Sequence, residues 1–385
     1  MARLFHVCLN HGSRCAVSHP KRQLHLDLLK LLGAQLIVWH HFSLYGPAAQ
    51  VLHNAAPGLM AWLYEYARMA VQIFLVVGGF LAAQHLSKPM AMRWQEVVSR
   101  VWLRYRRLVL PFMVAMLLAV LSAAVSRAHL PSDGFVPDAP STLQVLAHAL
   151  LLHDVLNQPA LSTGVWYVAI DLQLFTLLTA LVWLGPLLRP RPAVSPQLNP
   201  AWPVITWSLV AGLAALSLLV LNRMAALDAY APYFFGAYGL GVLAYGIART
   251  ARTKHTWLLA LTCLGVFALV VDYRERIVLA LGVAMVLALG GAWPVHLAKL
   301  PAWAQQLIAR GGQVSYAQFL NHFALLMLGN AGFALAVQAW ALESAQQVTL
   351  AGVVFVAYWL LSLWLGAWFE RHIEVPLTRW RSHRA

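Results

Sequence analysis

Charge is scarce in this chain. Only 10% of its 385 residues are Asp, Glu, Lys or Arg, against ~25% in soluble domains. A soluble core of this size cannot hide so much apolar surface, so an ordinary water-soluble domain is excluded. Cysteine is also scarce. Cys8, Cys15 and Cys263 have no metal-ligand spacing and do not read as a disulfide framework. The N-terminus lacks an apolar run of the kind a cleavable signal carries. No internal repeat is visible, which withholds support from a transporter built of two matched halves. No polar domain is appended at either end.

What is present is apolar: 61% of residues are hydrophobic. Ten segments approach the ~20 residues that cross a bilayer as helix. They centre on residues 28–45, 66–84, 108–126, 164–188, 203–221, 233–248, 256–271, 277–293, 314–336 and 348–369. The expected architecture is therefore all-α, a polytopic transmembrane bundle of about ten helices.

The formal net charge is +14, and its placement matters more than its size. With the N-terminus in the cytoplasm, 21 of the 27 Lys and Arg residues fall in segments on that side. Arg127, Arg223, Arg274 and Arg276 fall outside, and Lys30 and Arg68 sit at or inside helix ends. The positive-inside rule then expects both termini to be cytoplasmic. A nucleic-acid surface would gather basic and aromatic residues on one polar domain, so nucleic acid is not an expected partner. The run from Arg93 to Arg107 interleaves arginines with Trp94, Val97, Val98, Val101 and Trp102. It reads as an interfacial amphipathic helix, and its arginines suit the phosphates of a cytosolic cofactor. The two readings are compatible. A loop from about Arg127 to Thr163 is expected outside, with a short apolar helix near Leu143–Leu152.

Ionisable residues at membrane depth are functional hypotheses by default. In the first segment Asp27 and Lys30 are i,i+3 neighbours that can pair, and ten residues separate Lys30 from His41. Eleven steps return to within roughly 20° of the same face, roughly 16 Å further along. His40 points elsewhere, and two adjacent histidines pointing apart are poor ligands for one ion, so no metal is expected. Tyr167 and Asp171 share a face of the fourth segment. Asp171 suits an acid, a base or an imidazole orienter, or else a structural ion pair. Ser315, Phe319 and His322 share a face of the ninth, where a helix–helix hydrogen bond is the plainer role for His322. Glu370, Glu374 and Pro376 end the tenth, where a carboxylate is usually solvated or paired with Arg.

Together these strings resemble the acyltransferase-3 family of polytopic membrane O-acyltransferases, from about Asp27 to Pro376. The family opens with Leu-Asp-Gly-Leu-Arg, ten residues and His; here Leu26-Asp27-Leu28-Leu29-Lys30 precedes His41 by the same spacing. The second helix, a Gly-Val-Asp-Phe-Phe-Val-Leu-Ser-Gly-Phe-like string, is matched by Ala70 to Phe80. An Arg-rich stretch before proline is matched by Arg104, Arg106, Arg107 and Pro111. Trp166 through Asp171 match a Trp-Ser-Leu-x-x-Glu-like motif, Ser315 through His322 match Ser-Tyr-x-x-Tyr-Leu-x-His, and Glu374-Val-Pro376 matches Glu-x-Pro. Four positions depart: Lys30 for arginine, Gln72 for aspartate, Gly78 for serine and Asp171 for glutamate.

The resemblance implies an acyltransferase-like domain over residues 25–376, flanked by cytoplasmic tails at 1–24 and 377–385. It implies a multi-pass protein of a bacterial inner membrane. Its donor would be cytosolic acyl-CoA, most simply acetyl-CoA, used as a co-substrate with no tightly bound cofactor. The acceptor would be a hydroxyl on a glycan, lipid-linked sugar or similar molecule. His41 suits the general base, or would pass the acyl group on itself, and Asp171 would orient an imidazole or balance its charge; Lys30, Arg104, Arg106 and Arg107 suit the CoA phosphates. Asp27, His40, Tyr167, Ser315, His322 and Glu374 complete the polar set. Membrane lipids are expected partners, and a homo-oligomer is compatible with the reading. Two alternatives stand beside it. One is a transporter or exporter with His41, Asp171 and His322 as a polar relay; the other is an inactive structural homologue.

Overall fold

A computed structural model describes residues 23–87, 92–130, 135–188, 202–250, 253–290 and 292–379. Most of both expected tails, with Cys8 and Cys15, lies outside the described residues. So do Arg189 and Arg191 from the charge count. Among the described residues there is no strand, and the chain is an all-α polytopic bundle.

All ten apolar segments are helical. They are α1 (Leu24–Leu44), α4 (Val71–Leu86), α5 (Trp94–Ser126), α7 (Trp166–Leu187), α8 (Val204–Leu219), α9 (Ala231–Ala248), α10 (Lys254–Val271), α11 (Glu275–Leu289), α13 (Ala302–Ala339) and α14 (Ser344–Phe369). Short helices lie between them: α2 (Pro47–Ala55), α3 (Pro57–Glu65), α6 (Thr142–Ala149) and α12 (Ala292–Ala298), with α15 (Val375–Arg379) at the end. Among the described residues, eight helical stretches are long and apolar enough to cross a membrane. The other two of the ten are α1 and the 15-residue α11.

Local chemistry sets the ends. Pro47 and Pro57 open α2 and α3, where the missing N–H costs nothing and φ is already helical. Ser141 and Gln144 form a reciprocal capping box at the start of α6. Gly46 turns the chain out of α1 with φ +90°, and a Cβ there would overlap the Asn330 side chain. Asn330 Oδ1 in turn accepts the Ala48 N–H at 3.1 Å.

Small residues allow the closest crossings, as expected where lipid removes the hydrophobic drive between helices. A Cβ on Gly79 of α4 would overlap the Tyr238 carbonyl of α9, and one on Gly241 of α9 would overlap the Val76 carbonyl of α4. Gly311 and Gly312 do the same for α13 against Leu31 and Asp27 of α1.

The α1–α13 pair positions the site. Asp27 meets Gly312, Gln35 Nε2 donates to Gln318 Oε1 at 2.9 Å, and His41 meets His322. The register advances in the same direction on both helices, so they run parallel. α14 runs back along α13: Gln318 Nε2 donates to Ser362 Oγ at 3.0 Å, and Val354 lies against Gly329. α1 is wedged at a seam. Its Leu26 and Ile37 join the apolar cluster built on α4, α7, α8, α9 and α11, while Val38 and Phe42 join a second one with α2, α13 and α14. That seam buries His40 and His41.

The run from Arg93 to Arg107 is helical as expected: Arg93 caps it and the rest is the first part of the continuous 33-residue α5, which carries Pro111 inside it.

Candidate active site

His41 sits near the end of α1 and is 8% exposed; His322, near the middle of the 38-residue α13, is fully buried. His41 Nδ1 is 2.7 Å from His322 Nε2. The ring planes differ by 12° and the centroids are 4.9 Å apart. That separation is the short N···N distance plus the two ring radii, so the imidazoles lie edge to edge and nearly coplanar, not face to face.

The far nitrogen of His322 fixes the direction of this hydrogen bond. His322 Nδ1 lies 2.6 Å from the Phe319 carbonyl oxygen. A carbonyl only accepts, so Nδ1 carries the proton. The neutral ring then presents a lone pair at Nε2, and His41 Nδ1–H donates to it. His41 is thereby left with a lone pair on its own Nε2. Tautomer assignment by a second partner is the usual way an imidazole is set up as a base.

His41 borders a cavity of about 840 Å3. His40, Gln72, Tyr167 and Phe319 share its deeper wall. His40 Nδ1 is 3.1 Å from the Leu63 carbonyl and donates to it. Gly164 adopts φ +75°, and a Cβ there would lie 3.1 Å from the Phe319 ring and 3.4 Å from His41 Cε1. A side chain at this position would crowd the base.

Asp171 is not beside either histidine of the pair. It is gripped by Arg104, with Arg104 Nε 3.1 Å from Oδ2 and Nη2 2.8 Å from Oδ1. This bidentate pair is largely buried between α5 and α7, and the Arg104 guanidinium also covers the Phe175 ring at 5.4 Å. The orienting role expected of Asp171 thus falls to His322, and a relay of His41, Asp171 and His322 in mutual contact is not formed. Arg104 points into the bundle, whereas Arg107 is exposed and Arg106 half-buried.

The remaining polar set is dispersed. Lys30 pairs with Asp27 at 2.8 Å. Ser315 Oγ donates to its own helix at Gly312, 3.0 Å away. Glu370 takes Arg310 at 2.9 Å, and Glu374 closes the π-helical turn Glu370–Glu374. These groups lie at the end where α1 begins, away from the histidine pair. Among the described residues no group of His, Cys, Asp and Glu is placed to hold a metal ion.

The cavity mouth was not expected. Arg68, Arg274 and Arg276 line it together with Asp154, Asp228 and Glu275. Arg276 donates to the Tyr233 hydroxyl at 3.1 Å and to the Asn222 carbonyl at 3.0 Å. Arg274 donates to Asn222 Oδ1 and to the Leu218 carbonyl, both at 2.6 Å. A signal existed: Arg274 and Arg276 are two of the four basic residues that run against the charge bias, and Arg68 is one of two at helix ends.

Comparison with known proteins yields one match. The family model described as an acyltransferase domain covers residues 24–371, nearly all of the bundle. No curated protein and no solved structure matches the chain.

Proposed function

The chain belongs to the acyltransferase-3 family, and from that premise we propose that it moves an acyl group, acetyl in the simplest case, from acyl-CoA to a hydroxyl with His41 Nε2 as general base. The observation that carries this reading is the directed chain of hydrogen bonds from His41 through His322 to the Phe319 carbonyl. It leaves one imidazole lone pair beside a cavity large enough for a substrate headgroup.

In this reading the acceptor hydroxyl lies in the cavity and hydrogen-bonds to His41 Nε2. As its oxygen attacks the thioester carbonyl carbon, the proton passes to Nε2. The new C–O bond forms, the C–S bond breaks, and the thiolate takes the proton back from the imidazolium. Ester and free thiol leave, and His41 returns to its neutral tautomer. His322 holds the ring and shares the transient charge without changing its own proton at Nδ1.

The donor arrives from the end where α1 begins. There Lys30, Arg106 and Arg107 offer cations to the CoA phosphates. The acceptor enters from the opposite end, where the cavity mouth lies. The two substrates meet at the histidine pair from opposite sides of the bundle. The setting proposed for this reaction is a bacterial inner membrane, with the acceptor a glycan or a lipid-linked sugar.

Inverted membrane vesicles supplied with radiolabelled acetyl-CoA test the reading. Label entering butanol-soluble or polysaccharide fractions with the wild type, and lost with His41→Ala at equal insertion, supports it. Undiminished transfer by an inserted His41→Ala protein overturns it.

A further inference from the structure

One part of the cavity wall is a short turn of chain. After α6 the chain turns through residues 150–158, and this turn has two faces. Asp154, Asn157 and Gln158 line the cavity. Leu150, Leu152, Val155 and Leu156 are exposed on the outside of the molecule, in line with Leu143 and Leu146 of α6. An exposed apolar face of this kind suits contact with a membrane surface. This part of the cavity wall is therefore a single turn of chain, polar on its inner side and apolar on its outer side.

That turn is held in an uncomfortable conformation. Leu151 at φ +55° and Asn157 at φ +50° are two of the three non-glycine residues with positive φ among the described residues, and a leucine there is strained. Between them His153 is fully buried, stacked on His148 at 4.2 Å, with neither ring nitrogen hydrogen-bonded. Its nearest charged group is Asp154, 3.5 Å away. Backbone strain and unpaired polar atoms are thus concentrated in this segment, where a rearrangement would relieve them.

The rim chemistry selects an occupant. Neither Arg68 nor Arg276 is in an ion pair among the described residues. Three carboxylates share the mouth with them. Guanidinium groups that have neutral hydrogen-bond partners but no carboxylate partner suit a phosphate, and neighbouring carboxylates suit the hydroxyls of a polyol. On the other side of the mouth, exposed Trp62, Tyr66 and Tyr273 are the residue types that settle at a membrane interface.

We propose that residues 150–158 form a lateral gate through which a lipid-anchored acceptor, carrying a phosphate next to hydroxyls, passes its headgroup from the bilayer to His41 while its chains remain in lipid. This rests on the acyl-transfer reading for the fate of the headgroup, and its test is read without turnover, so the two fail separately.

The test uses the full-length protein in phosphatidylcholine vesicles doped with a phosphatidylglycerol bearing a diazirine beside its glycerol ester. After photolysis the labelled residues are mapped by mass spectrometry. The gate places label on Asn157, Gln158, Tyr167 and Phe319. Arg68→Ala, at an exposed position, lowers that cavity labelling by about tenfold, the loss of one charge-assisted contact. A diazirine phosphatidylcholine, with no headgroup hydroxyl, labels the cavity less than the phosphatidylglycerol does. Label confined to Leu143, Leu146, Leu150 and Leu156 with either lipid overturns the proposal. So does cavity labelling that Arg68→Ala leaves unchanged.

Discussion

Asp171 and Arg104 form a bidentate ion pair inside the bundle, with Nη2 of the arginine 2.8 Å from Oδ1 of the aspartate. The pair ties α5 to α7 one helical turn below Tyr167, which lines the cavity. It braces the two helices behind the cavity floor, and the proposed proton path from His41 to His322 does not run through it.

Removing one partner strands the other charge. Asp171→Asn and Arg104→Leu are each expected to destabilise the protein by about 3–5 kcal/mol, whereas the double replacement by apolar residues costs less than the sum. Thermal unfolding of the detergent-solubilised variants measures this. Additive losses would show that the two side chains do not depend on each other.

Gly164 is expected to tolerate no side chain without loss of activity. In Gly164→Ala the left-handed backbone costs about 1–2 kcal/mol, and the new methyl presses on Phe319 and the His41 ring edge. The transfer rate should fall well beyond the small drop in unfolding temperature. An active Gly164→Ala protein would mean that the ring has room to move.

Acid should loosen the gate segment before the rest of the bundle. His148 and His153 lie outside the membrane-spanning helices, and burial lowers both to about 4. In the unfolded chain each returns to the ordinary histidine value near 6.5. A lowered histidine contributes stability that is whole above the unfolded value and is lost as pH falls through the folded one. Proteolysis at residues 150–158 should therefore rise between about pH 6.5 and 4, and His153→Phe, which stacks without titrating, should flatten the rise. A pH-independent cleavage rate in the wild type would contradict this.

Much of the bundle is legible in the sequence because lipid imposes one strong rule: each crossing needs a long apolar run, and all ten runs are helices. His41 and His322 are legible as polar residues where polarity is costly, although 281 positions separate them. Their contact is not, because it depends on the parallel register that Gly311 and Gly312 allow between α1 and α13. Asp171 shows the limit from the other side. Its membrane depth demands a partner, and periodicity on α7 cannot say that Arg104 supplies it. The mouth is still less visible: Arg68, Asp154 and Asp228 come from three connections and Arg276 from the start of α11, with no shared period, and only folding gathers them.

The histidine pair carries the account, and a double-mutant cycle on the transfer rate tests it most directly. His41→Ala is expected to cost about 10²–10⁴-fold, the range for losing a general base. His322→Ala should cost less and act on kcat more than on KM. With both replaced, the rate should be no lower than for His41→Ala alone, because an orienting residue has nothing left to orient. Losses that multiply in the double variant would contradict the account, since His322 would then act on the reaction by a route that does not pass through His41.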